Sequence, residues 1–76
     1  MINVKKLNKA AIIAHTSQDI PTLANIYEKY GLLKIKERDL ESACFYLTNA
    51  YAFALEAGLQ SATEIHKVLR HHGRED

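Results

Sequence analysis

Apolar residues along this chain recur at the spacing of a helix face, and short polar segments with good helix caps interrupt the recurrence. Val4, Leu7, Ala11 and Ala14 form one such stripe, which predicts a first helix from Val4 to His15 with Asn3 as its cap. The polar run Thr16-Ser17-Gln18-Asp19 is expected to end it. Asp19 then caps a second helix, from Ile20 to Ile35, and Pro21 is tolerated in the first turn because its missing N–H has no intrahelical partner there. Asp39 caps a third helix that runs to Ala57, where Gly58 can take the left-handed conformation that closes a helix. Ser61 and Glu64 have the spacing of a capping box at the start of a short fourth helix. That helix is expected to stop at Gly73 and leave Arg74-Glu75-Asp76 as a frayed tail.

The third helix is apolar around most of its circumference. Leu40, Cys44, Leu47, Tyr51 and Leu55 lie along one side, Ala43, Ala50 and Ala54 along a second, and Tyr46, Phe53 and Ala57 along a third. Only Glu41, Thr48, Ala52 and Glu56 make a mostly solvent-like stripe, so this helix needs neighbours on most sides and should be the spine of the fold. The expected architecture is all-α, with four antiparallel helices in a single domain over residues 1–76.

The second and third helices also look fitted to each other. Tyr27, Tyr30 and Gly31 precede Ala43, Leu47 and Ala50; small residues at helical spacing allow close approach, and the tyrosines supply bulk beside the gap. This arrangement resembles a tetratricopeptide repeat (TPR). Tyr27 and Tyr30 take large positions, Gly31 a small one, Ala43 and Ala50 the small positions of the second helix, and Leu47 the aromatic position between them. The chain departs from the family at Lys34, where an aromatic is usual, at Leu55, where Pro is usual, and at Arg38, where a turn Gly is often found. An internal echo accompanies the resemblance, since Ala10 and Ala14 recur as Ala50 and Ala54, and Ile26, Tyr27 and Tyr30 as Ile65, His66 and Leu69. What the resemblance implies is one TPR-like helix pair flanked by two half-repeat helices.

Composition narrows the function. A chain of 76 residues buries only about 60% of its unfolded surface, yet 47% of this one is apolar, a content that asks for more burial than one small core provides. Ten basic and nine acidic side chains are scattered along it for a formal charge of +1, so the broad positive field of a nucleic-acid binder is missing. The longest basic cluster is Lys5, Lys6 and Lys9. No apolar run approaches the roughly 20 residues that cross a bilayer, and no secretory leader pattern opens the chain, so the expected setting is cytoplasmic, with no membrane partner. Cys44 cannot make an internal disulfide, which fits a reducing compartment, and between Ala43 and Phe45 it reads as a small core residue.

Candidate chemistry is sparse. Imidazole is a common zinc ligand, but His66 is followed four residues on by Arg70, His71 and His72 point about 100° apart on a helix, and His15 is remote in sequence, so no metal site is expected. Ser17, Ser42 and Ser61 are each read at or near a helix start, where capping accounts for them. Gly31, Gly58 and Gly73 are single residues and make no phosphate loop. Neither a catalytic site nor a cofactor is expected.

The sequence therefore points to a non-enzymatic protein–protein interaction module, a small TPR-like adaptor or regulator that binds a peptide or helix through a groove or an apolar face. The resemblance places the groove-facing positions at Asn25, Glu28, Leu32, Ile35 and Lys36. Glu28 stands where a terminal-carboxylate clamp of that family would want a basic residue, so this specificity is not implied. An alternative is a small DNA-binding helical regulator with residues 39–58 as its recognition element and the lysine cluster as an arm; Glu41 and Glu56 on the exposed stripe weigh against it. Ile2, Ile12 and Ile13 on the first helix, and Val68 and Leu69 on the fourth, leave apolar surface at both ends. A homodimer is expected to cover it, through the first helix and the Leu32–Ile35 edge of the second.

Overall fold

Helix boundaries in this chain are set by two aspartates and three left-handed residues. Asp19 accepts hydrogen bonds from the Thr22 amide at 3.4 Å and hydroxyl at 2.6 Å, and Asp39 accepts one from the Ser42 amide at 3.2 Å. These bonds satisfy donors that the first helical turn leaves without partners. Gln18, Arg38 and Gly58 have φ of 55°, 64° and 68°. After each, the next amide reaches back to close the turn: Asp19 to the Ala14 carbonyl, Asp39 to Lys34 and Leu59 to Ala54, all at 2.9 Å.

The resulting computed structural model describes residues 4–72, with α1 (Val4–Ser17), α2 (Ile20–Lys36), α3 (Leu40–Ala57) and α4 (Ser61–His71) and no strand among the described residues. The all-α fold of four helices is as the sequence pattern predicts. α1 continues beyond His15 to Ser17, with the hydroxyls of Thr16 and Ser17 donating to the Ile12 and Ile13 carbonyls at 2.9 Å, before Gln18 ends it. The Ser61–Glu64 capping box is absent. The chain enters α4 already helical at Gln60 (φ −64°, ψ −25°), which makes no side-chain cap bond and leaves Ser61 as the first helical residue. Glu64 instead approaches Lys67 at 3.7 Å. Ile2, Asn3, Gly73 and the tail lie outside the described residues, as does the side chain of Val4.

α2 and α3 make the most extensive helix contact, with α1 against α2 and α4 against α3. Two buried clusters result. Leu7, Ala11 and Ala14 of α1 pack on Leu23 and Ile26 of α2. Ala24 of α2 joins Cys44, Leu47, Ala50 and Ala54 of α3 and Ala62, Ile65 and Leu69 of α4 in the other. Tyr27 and Phe53 pack against both clusters, their ring centroids 5.3 Å apart, and so tie them together. The closest helix approach is at Gly31, where a Cβ would fall 2.5 Å from Leu47 Cγ and 3.3 Å from the Ala43 carbonyl oxygen. No side chain larger than hydrogen fits there without movement.

Two expectations about faces change. Leu40, Phe45 and Leu55 on α3 are exposed, so α3 has neighbours on the α1, α2 and α4 sides but an open outer surface wider than the Glu41–Glu56 stripe. The α4 end is polar: Leu69 is fully buried and Val68 half-buried against the core, while Thr63, Glu64, Lys67, Arg70 and His71 face solvent. The α1 end differs, with Ile12 67% and Ile13 63% exposed.

Candidate functional site

Along α2, Tyr27, Tyr30, Lys34 and Glu37 follow one another at helical spacing and share the side of the helix that lies between α1 and α3. A groove of about 580 Å³ opens there. Its α1 wall is Asn8, Ala11, Ile12 and His15, its floor is Tyr27, Tyr30 and Leu33, and Tyr46 of α3 forms the far wall. The volume falls in the usual range of about 300–1,000 Å³ for binding clefts.

The floor is pinned by hydrogen bonds that cross between helices. The Tyr27 hydroxyl and His15 Nε2 are 3.0 Å apart, and the Tyr30 hydroxyl donates to Asn8 Oδ1. Both bonds fix a phenol against α1, where the buried side chains are mostly small. Tyr27, Tyr30 and Tyr46 touch each other with centroids 5.2 to 6.2 Å apart, in the tilted geometries that ring quadrupoles favour. Partial burial, followed by the nearby Tyr46 and Tyr27, pushes the Tyr30 hydroxyl above its usual range, so it remains a neutral donor. At the groove mouth Lys34 Nζ meets Glu37 Oε1 at 3.1 Å, and this hydrogen bond raises the ammonium's affinity for its proton.

The groove offers an aromatic floor, an exposed isoleucine, one amide, one imidazole and a rim ion pair. Among the described residues, no group of three or more His, Cys, Asp or Glu side chains is placed to hold a metal ion. His66 stacks on Tyr51 with centroids 5.3 Å apart. No helix of the described residues is long and apolar enough to cross a membrane.

The five residues expected to bind a partner lie on other faces of α2. Asn25, Leu32 and Lys36 are exposed, Glu28 is half-buried, and Ile35 packs against the α3–α4 core. Glu28 faces Glu64 of α4; partial burial and then that like charge push its carboxyl upward. None of the five lines the α1–α3 groove. Leu32 is nine residues from Leu23, about 180° round the helix from the face against α1, so Ile12 and Ile13 do not form one patch with Leu32. Sequence reasoning passed over Asn8, His15, Lys34, Glu37 and Tyr46. The signal was the Tyr27–Tyr30–Lys34–Glu37 spacing, of which the tyrosines were read as packing residues and Lys34 only as a departure from the repeat pattern. No family model matches the chain, and comparison with the curated proteins and with the solved structures finds no match.

Proposed function

We propose that this protein is a non-enzymatic interaction module, TPR-like in its α2–α3 pair, that docks a peptide or helix of another protein in the α1–α3 groove and works as a cytoplasmic homodimer. The observation that supports it most is the groove itself, where an aromatic floor stands beside the exposed Ile12 and is rimmed by the Lys34–Glu37 pair. Buried aromatic anchors ringed by polar groups are the usual source of affinity at protein interfaces. Its setting agrees with a buried free thiol at Cys44.

Site-specific photocrosslinking in the source cell tests the reading. A benzophenone side chain at Glu37, on the groove rim, should capture a partner protein, whereas the same group at Thr48, on the outer side of α3, should not. Capture from Leu32 in place of Glu37 would return the site to the Asn25–Lys36 face, and capture from neither would remove the interaction reading.

A further inference from the structure

The groove between α1 and α3 has hydrogen-bond donors to spare. Asn8 Oδ1 accepts from the Tyr30 hydroxyl and Glu37 Oε1 from Lys34, so its strong acceptors are engaged. The two N–H bonds of the Asn8 amide and the O–H of Tyr46 have no hydrogen-bond partner among the described residues. Asn8 is exposed, and no buried side-chain polar atom lacks a partner, so these donors open to solvent. The charged side chains among the described residues of the groove are Lys34 and Glu37, which bond each other at 3.1 Å, so an uncharged segment suits it better than an acidic or a basic one. The rings also continue past it. Phe45, 65% exposed, packs edge-on against Tyr46 with centroids 5.5 Å apart and prolongs the aromatic surface onto the open side of α3.

Resting on the groove as the docking site, we infer that its occupant is an uncharged, proline-rich segment of the partner in the extended polyproline II conformation. Proline carries a carbonyl and no N–H, and in polyproline II no carbonyl is bonded within the segment, so each is free to accept from Asn8 or Tyr46. A helix bonds its own carbonyls along its length and would cover those donors without satisfying them. Pyrrolidine rings pack on aromatic faces, and a preformed polyproline II segment loses little entropy on docking.

The length agrees. Asn8 and His15, at the two ends of the α1 wall, are about 10.5 Å apart along the helix axis, and one three-residue turn of polyproline II rises about 9.3 Å. Prolines one turn apart would therefore reach both ends of the tyrosine floor, and Phe45 offers a further ring beyond it. The one proline of the chain, Pro21, lies in the first turn of α2, so residues 1–76 hold no such segment themselves.

Decaproline, titrated to millimolar concentration into isotope-labelled chain while each backbone amide is followed by nuclear magnetic resonance, tests the occupant. It should move the amides of Asn8, Tyr30 and Tyr46 in a saturable way, and a proline-free amphipathic helical peptide should leave them in place. Asn8→Asp keeps an acceptor for Tyr30 but loses both N–H donors, and Phe45→Ala removes a ring from exposed surface. Each should weaken decaproline binding about three- to tenfold with an unchanged circular dichroism spectrum, while Leu55→Ala, elsewhere on exposed α3, should bind like the wild type. Decaproline that leaves every amide in place, or binding unaffected by both variants, would overturn the proline-rich segment; partner capture at Glu37 would then still keep the groove as the docking site. Groove shifts from the helical peptide alone, or from a thymidine decanucleotide alone, would assign the rings to a helix or to stacked bases instead. Decaproline shifts confined to Asn25, Leu32 and Lys36 would remove both the segment and the groove.

Discussion

Replacing Gly31 by Ala adds one methyl group at the closest approach of α2 and α3. Helix propensity by itself favours the change by about 0.8–1.0 kcal/mol, because Gly31 lies inside α2. The contact opposes it. The new Cβ would sit 2.5 and 2.6 Å from Leu47 Cγ and Cδ2, about an ångström inside ordinary carbon–carbon contact. Leu47 is 1% exposed and is walled by Ala24, Cys44, Ala50 and Ala54, so it cannot swing away, and the Ala43 carbonyl blocks a small shift of the backbone. Overpacking of this kind costs about 1–3 kcal/mol, which leaves a net destabilisation of about 0–2 kcal/mol. For a domain of this length that lowers the thermal midpoint by up to roughly 16 °C. Urea titration of four proteins separates the terms: wild type, Gly31→Ala, Leu47→Ala and the double variant. Leu47→Ala alone should cost about 2–5 kcal/mol, and in that background Gly31→Ala should become neutral or stabilising. A Gly31→Ala protein more stable than the wild type by the full propensity gain, or one with the same change in both backgrounds, would refute the close approach.

Four further outcomes follow from particular residues. Ala43→Leu and Ala50→Leu should each destabilise by about 1–3 kcal/mol, since both alanines are buried at the α2–α3 contact, whereas Thr48→Leu on exposed surface should change urea stability by less than about 0.5 kcal/mol. Arg38→Gly should stabilise by about 0.5–1 kcal/mol by relieving a left-handed arginine; a loss in the same titration would mean that the Arg38 side chain matters more than its backbone. The bonds from Ser42 hold the Asp39 carboxyl below its usual range, so its stabilising effect is complete above the unfolded value near 3.9 and fades as pH falls through the lower folded value; Asp39→Asn should flatten melting curves in that acid window. Glu28 has the opposite sign: folding raises its pKa, so the native state binds the proton more tightly and stability drops as the carboxyl ionises. Glu28→Gln should therefore melt higher than wild type at pH 7 and together with it near pH 3, and equal melting at both would remove the strain between Glu28 and Glu64.

The helices were legible because their signals are local. Asp19, Asp39 and Gly58 act within one turn, and the Gly31–Ala43–Ala50 spacing showed which helices would approach. The Ser61–Glu64 box failed because its residues permit a cap that the incoming backbone at Gln60 does not form. Exposure on α3 was misjudged at Leu40 and Leu55, since periodicity shows that a face is apolar but not whether a neighbour covers it. The groove was less legible still. Its polar contacts join Asn8 to Tyr30 and His15 to Tyr27 across two helices, and Tyr46 arrives from a third; such a meeting depends on how the helices pack, which no window of sequence contains.

The central claim is that a partner protein sits between α1 and α3. Its most direct test is a nuclear magnetic resonance footprint, in which isotope-labelled chain is titrated with the partner recovered by crosslinking and each backbone amide is followed. The account predicts the largest shifts at Asn8, Ala11, Tyr30, Lys34 and Glu37, with Asn25, Leu32 and Lys36 nearly unmoved. Shifts concentrated on Asn25, Glu28, Leu32 and Lys36, with the groove amides unmoved, would contradict it.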